Sequence, residues 1–319
     1  WNYPYQLSLS PIIAAMAAGN CCILKPSEIA ENTMKAMASI INENFPPEYL
    51  YVYEGGIEET TALLQLKFDK IFFTGSTKVG KIVYKAAAEH LTPVTLELGG
   101  KSPAIVTQNA DLEMAAKRIV WGKFLNAGQT CVAPDYLLVE ETIQEQFLEM
   151  LRKYIKEFRY DQGSVHYTRI INQRNFQRLI RLIDKEKIYS GGYFDEEKLY
   201  IEPTILNHID WKDEIMQEEI FGPLLPVISF KNYNAALNSI LDLEKPLAAY
   251  LFTNNSEEKD HFTRKLSFGG GCINDTVMHL SNDNLPFGGV GSSGIGNYHG
   301  KYGFETFSHQ KAVLEKATW

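Results

Sequence analysis

The chain has 319 residues, 45% of them hydrophobic and 22% charged, and a formal net charge of −8. That length exceeds one ordinary core and supports at least two domains, each with its own apolar interior. The acidic balance leaves no broad basic surface, which weighs against nucleic acid and anionic membrane as partners, and no apolar run reaches the roughly 20 residues of a membrane-spanning helix.

The chain opens at Trp1 without an initiator methionine or a targeting signal, in residues that already look like the interior of a fold, so it reads as a fragment. From Ile12 to about Gly99, short apolar runs alternate with helical stretches. Strands are expected at Cys21 to Leu24, Leu50 to Tyr53, Lys70 to Phe73 and Val94 to Leu96, with helices at Ile29 to Asn44, Glu58 to Leu66 and Val79 to His90. This is the pattern of a doubly wound parallel α/β unit. Lys25-Pro26-Ser27-Glu28 ends the first strand, where open α/β sheets bind ligands, although a solvated charged turn is the plain alternative. Phe72-Phe73-Thr74-Gly75-Ser76-Thr77-Lys78-Val79-Gly80 runs from strand end through a glycine turn into a helix, an arrangement that offers free amides and a positive dipole end to an anion.

A second α/β block starts at Ser102, with strands near Ala104 to Val106, Tyr136 to Val139, Leu225 to Ile228 and Ala248 to Phe252, and a helix at Leu112 to Leu125. Tyr160 to Thr168 and Gly191 to Lys198 read as surface loops. Gly289-Val290-Gly291-Ser292-Ser293-Gly294 fits the dinucleotide fingerprint G-x-G-x-x-G. No strand precedes it and no clear helix comes after it, so it is expected to be a flexible loop walling an active-site tunnel rather than a phosphate loop.

The cysteines are Cys21, Cys22, Cys131 and Cys272, which match neither a disulfide framework nor paired metal-ligand spacing and so point to a reducing, cytoplasmic setting. Cys21 and Cys22 read as small buried hydrophobes and Cys272 as a packed strand residue. Cys131, in Gly128-Gln129-Thr130-Cys131, comes after Glu97-Leu98-Gly99-Gly100-Lys101-Ser102, so the chain holds both a candidate thiol nucleophile and a candidate general base. That combination suits covalent chemistry on a carbonyl. Glu218-Glu219-Ile220-Phe221-Gly222-Pro223 has a plain alternative too, paired surface acids with Phe221 in the core.

Taken together, Trp1-Asn2-Tyr3-Pro4, Lys25-Pro26-Ser27-Glu28, Phe73-Thr74-Gly75-Ser76, Glu97-Leu98-Gly99-Gly100-Lys101, Gly128-Gln129-Thr130-Cys131 and Glu219-Ile220-Phe221-Gly222-Pro223 resemble the aldehyde dehydrogenase superfamily, in order and along the whole chain. Leu285-Pro286-Phe287-Gly288-Gly289, Tyr298-His299-Gly300-Lys301 and Phe307-Ser308-His309-Gln310 resemble its class 3 and fatty-aldehyde branch. The resemblance implies oxidation of an aldehyde to an acid with NAD, or NADP, through a thiohemiacetal and a thioester on Cys131. Asn2 and the Cys131 N–H would serve the oxyanion and Glu97 the hydrolytic water. Lys25, Glu28, Thr74, Gly75, Ser76, Val79, Gly80, Leu98, Glu219 and Phe221 would hold the cofactor. Glu28 disfavours a 2′-phosphate and so favours NAD. Tyr3, Trp121, Thr130, Phe287 and His299 would line a tunnel for medium or long aliphatic, or aromatic, aldehydes, while His279 reads as structural. It further implies an incomplete cofactor domain at 1–98, a catalytic domain at 99–305, and a bridging segment at 306–319, in which Phe304 to Leu314 forms the strand that pairs subunits into a homodimer. A coenzyme A-acylating enzyme, which needs no general-base glutamate, and an idle scaffold that keeps the fold are the alternatives.

Overall fold

The computed structural model describes residues 2–318. In its first third, helices and strands alternate: α1 (Pro4–Ala17), β1 (Cys22–Leu24), α2 (Glu31–Asn44), β2 (Leu50–Val52), α3 (Ile57–Leu64), β3 (Ile71–Thr74), α4 (Thr77–Glu89) and β4 (Val94–Glu97). β1 runs parallel to β2 and β3 parallel to β4, with Thr74 opposite Glu97. Sequence periodicity does not announce α1, because apolar residues ring it and Pro11 lies inside it. Ser76 caps α4 by accepting from the Val79 N–H, and Val83 and Ala87 bury the helix against Leu96 and Leu98.

The remainder contains β5 (Pro103–Val106), α5 (Leu112–Phe124), β6 (Tyr136–Glu140), α6 (Gln144–Glu157), α7 (Gln173–Arg181), β7 (Ile188–Ser190), β8 (Phe194–Asp195), β9 (Tyr200–Ile201), β10 (Thr204–Leu206), β11 (Leu224–Phe230), α8 (Tyr233–Leu241), β12 (Ala248–Phe252), α9 (Ser256–Lys265), β13 (Gly270–Ile273), β14 (Gly294–Ile295) and α10 (Gly300–Thr306). Seven strands form one sheet in the order β13-β12-β5-β6-β11-β10-β7, parallel except for β7. Its central strands are unbroken apolar runs because both faces are covered. Ala104, Val106, Leu137, Val139, Tyr250 and Phe252 bury on one face, while Ile105, Tyr136, Leu138, Ala249 and Leu251 bury on the other, in keeping with the two-residue period of a strand.

Neighbouring strands fix the place of the site. β6 and β11 are hydrogen-bonded neighbours, so the loops that enter their amino ends, which carry Cys131 and Glu219, lie side by side. Glu97, Thr74 and Lys25 instead lie at or just beyond the carboxyl ends of β4, β3 and β1. β14 ties the two regions together by pairing antiparallel with β4, Gly294 opposite Glu97.

Several expectations need correction. Cys21 is exposed and only Cys22 packs against the α2/β2 cluster, since the period of β1 turns one of two adjacent thiols outward. The 289–294 segment is no phosphate loop, but neither is it free: a 3-10 turn and the β14 ladder hold it on β4, with the Leu98 N–H donating to the Ser293 carbonyl at 3.1 Å. Gly191 to Lys198 contains β8, which pairs with β9. Phe304 to Thr306 belong to α10, and residues 308–318 carry no helix or strand, because an extended segment without a neighbouring backbone forms no ladder.

Candidate active site

α5 starts at Asp111, whose side chain accepts from the Met114 N–H, and stops at Phe124. The turn after it is unusual for L-residues. Asn126 (φ 53°), Ala127 (φ 53°) and Gly128 (φ 72°) are left-handed in succession, a conformation that costs roughly 1–2 kcal/mol per non-glycine residue. Gly128 must be glycine, since a Cβ there would meet the Gly222 carbonyl oxygen at 2.2 Å. The nucleophile loop and the Glu219–Pro223 loop therefore touch backbone to backbone. Cys131 emerges half-buried. Desolvation first, then the charges of Glu219 and Glu97, push its thiol up to about 12, so the free chain holds it protonated at neutral pH.

Glu97 is 3% exposed, and neither carboxyl oxygen has a hydrogen-bond partner among the described residues. Burial alone raises its pKa well above the usual carboxylate range. A bare buried carboxyl costs more stability than the unpaired hydroxyls of Ser8, Thr74, Thr95 and Tyr136, which makes it a functional marker. Tyr298, 2% exposed, has its phenol held up by burial and by the charges of both Glu97 and Cys131, and so stands beside the pair.

Asn2 is buried, and its Nδ2 donates to the Gln129 carbonyl at 2.8 Å. The Tyr3 hydroxyl shares a hydrogen bond with Thr130 Oγ1 at 2.9 Å. The start of α1 thus docks on the loop that carries Cys131. Phe287 stacks on His299 at 4.9 Å and meets Tyr298 edge-on, and it shares one apolar cluster with Trp121 and Cys131. A groove of about 650 Å³ along α5 and α6 is lined by Trp121, Met114, Tyr154 and Phe158, but by none of the other expected tunnel residues. His279 places Nδ1 3.6 Å from the Cys272 thiol, and burial lowers its pKa to about 4.

Around the expected cofactor site, Lys25 pairs with Glu28 at 3.1 Å. The Thr74 hydroxyl is buried at the end of β3 without a partner among the described residues. Gly80 lets α4 close onto Leu98, where a Cβ would come within 2.6 Å. Val79 is left 40% exposed on the first turn of α4. Glu219 lies against Gly99, where a Cβ would meet its Oε2 at 2.1 Å, and burial raises its pKa to about 8. Phe221 is half-buried with φ 47° rather than a core residue. An ammonium–carboxylate pair, a capped helix start, an unclaimed hydroxyl and a glycine-cradled carboxyl together fit a dinucleotide.

The structure also assembles residues that spacing did not single out. Asp135 accepts from Lys101 and from the Ile220 N–H, and Arg178 donates to Glu218 Oε1 and the Glu219 carbonyl, fixing the loop that presents Glu219. Lys123 is 1% exposed on α5, with its pKa lowered to about 8 by burial. A lysine at a core position of an apolar helix was the available signal. Gln129 and Tyr298 belong to recognisable motifs, but their partners lie far away in the sequence.

Residues 1–313 match the aldehyde dehydrogenase family. The chain belongs to the aldehyde dehydrogenase family. It is 51% identical over 323 residues to the 4,4'-diaponeurosporen-aldehyde dehydrogenase of Staphylococcus aureus, covering all of this chain and 70% of that protein. It is 50% identical to aldehyde dehydrogenase family 3 member A2 of Rattus norvegicus, covering 99% of this chain and 66% of the relative, so it spans about two thirds of these proteins. A solved structure, the substrate-bound state of Staphylococcus aureus AldH, superposes with a TM-score of 0.96 at 49% identity, covering 99% of this chain and 71% of that one. Family membership places the chain among NAD(P)-dependent enzymes with a mixed α/β fold.

Proposed function

We propose that this aldehyde dehydrogenase oxidises medium or long aliphatic, or aromatic, aldehydes to carboxylic acids through covalent adducts on Cys131. One observation carries the reading: a thiol on a strained loop stands within electrostatic reach of Glu97, a sealed glutamate whose oxygens no protein donor claims among the described residues. In the first step the thiol gives its proton to water and its sulfur bonds to the aldehyde carbon as the C=O π electrons move onto oxygen. The oxygen becomes an oxyanion, received by the Cys131 N–H and by the Asn2 amide hydrogen left free by Gln129. Lys25, Glu28, Thr74, Ser76, Val79, Glu219 and Phe221, with Gly75, Gly80 and Leu98 shaping the turn, would hold NAD(P), which supplies the hydride acceptor when bound. In the last step Glu97 takes a proton from water, the hydroxide oxygen bonds to the thioester carbon, and the thiolate leaves with the C–S electrons.

Tyr3, Trp121, Thr130, Phe287 and His299 form the aldehyde's surroundings, and their aromatic character supports an apolar substrate. Glu28 supports NAD over NADP, because its carboxylate repels a 2′-phosphate. The division into 1–98, 99–305 and 306–319 draws support from β1 to β4 lying before residue 98 and the seven-stranded sheet after it, with β14 reaching back to β4, and the unladdered 308–318 stretch suits pairing with a second copy into a homodimer. A cytoplasmic setting accords with four free cysteines; among the described residues no helix is long and apolar enough to cross a membrane. Glu97 favours hydrolysis over coenzyme A acylation. The test is NADH absorbance on adding aldehydes of graded length. It should rise in the unaltered full-length protein and vanish in Cys131→Ala; no rise with any aldehyde defeats the reading.

A further inference from the structure

Gln129 stands next but one to the nucleophile, yet its side chain faces other business. Its Nε2 donates to the carbonyls of Asn126 (3.1 Å) and Arg169 (3.2 Å), and its Oε1 accepts from the Ile171 N–H (2.9 Å). Both amide hydrogens are thereby used. Its own carbonyl receives Asn2 Nδ2 at 2.8 Å and Asn126 Nδ2 at 3.0 Å, one for each lone pair. Gln129 is 5% exposed; its bond from Asn2 is buried and the other four are partly buried. Three distant segments, the start of α1, the left-handed turn and the 169–171 strip, converge on one residue. A run of left-handed L-residues persists only where its surroundings over-determine it, and here Gln129 supplies that restraint.

We infer that Gln129 is the positioning residue of the oxyanion site. Its side chain locks the 126–128 turn, which sets the Cys131 N–H. Its carbonyl engages one hydrogen of the Asn2 amide, which orients the other. Both donors are thus placed by a group that touches neither substrate nor cofactor. The inference rests on Cys131 and Asn2 acting as proposed above. Its signature is a loss confined to kcat, because an oxyanion exists only after attack.

The experiment uses the full-length protein with NAD and an aldehyde it turns over. Gln129→Ala keeps the carbonyl but removes the three side-chain bonds; kcat should fall about 10- to 100-fold, with KM for NAD within about twofold and NADH binding by fluorescence intact. Combined with Asn2→Ala, the loss should be well short of the product of the single losses, since a turn loosened by the lost side-chain bonds also shifts the carbonyl that orients the Asn2 amide. Asn126→Gly guards against misfolding: glycine accepts φ 53° without strain, and only the Asn126 Nδ2 bond is lost, so a smaller fall in kcat with the same coupling to Asn2→Ala is expected. Multiplicative losses in both double variants, or an unchanged kcat, overturn the role of Gln129. An unaltered protein without turnover on any aldehyde defeats the underlying reading instead.

Discussion

The two α/β regions bury themselves differently. In the first, β3 has no fully buried residue, the strands fall into two small sheets, and the cores are a six-residue and a three-residue cluster. In the second, every residue of β5 and β12 is buried, and two large clusters sandwich a seven-stranded sheet. The first region is lightly packed in this chain, whereas the region that presents Cys131 is dense. Positive φ at non-glycine residues occurs in both regions, at Tyr3 and Leu91 in the first and at Asn126, Ala127, Phe221 and Val277 among others in the second, and the dense sheet can over-determine the latter.

Glu97 sits on the border of the two regions, and its removal should have the largest effect. Glu97→Gln is expected to release about one NADH per subunit in a rapid burst, then to turn over steadily at a rate lowered about 10²- to 10⁴-fold, measured by stopped-flow absorbance. Loss of the burst as well would mean that Glu97 acts before the thioester. The same variant should gain stability relative to the parent as pH rises. A carboxyl whose folded pKa is raised costs folding energy once pH passes its unfolded value near 4.3, and a neutral amide does not. The difference in Tm should therefore grow from pH 5 to pH 8.

Truncations probe the packing contrast directly. Leu137→Ala, in the middle of β6 and fully buried, should cost about 2–5 kcal/mol and lower the main unfolding transition. Leu50→Ala, in the small α2/β2 cluster, should instead weaken NAD binding and open the first third early, as read by hydrogen exchange. Equal effects on both regions would erase the distinction. The smallest expected effect concerns charge. Glu219, with a pKa near 8, raises that of Cys131, so Glu219→Gln should speed thiol alkylation on the order of three- to tenfold, but only above about pH 8, where the native carboxyl is ionised.

Much of the dense sheet is legible in the sequence because β5, β6, β11 and β12 are largely apolar runs bounded by turn residues. Cys131, Glu97 and Asn2 are legible as motifs. α1 is not, because its apolar residues show no face and Pro11 argues against a helix. Gln129 is silent for another reason: its importance lies in backbone groups that its side chain reaches across the fold, and amide-to-backbone bonds leave no periodic trace. Phe304 to Thr306 fall in α10 rather than in the expected strand, and beyond them strand character is a property of two backbones, of which one sequence supplies only one.

The lone pairs of Glu97 set a timetable. With no amide, hydroxyl or cation among the described residues competing for them, the first solvent molecule admitted turns its hydrogens toward the carboxylate and its oxygen outward. Under the proposed function, hydrolysis waits on hydration of this pocket rather than on a side chain swinging into place. A solvent deuterium effect confined to the phase after the burst is the expected trace of that dependence.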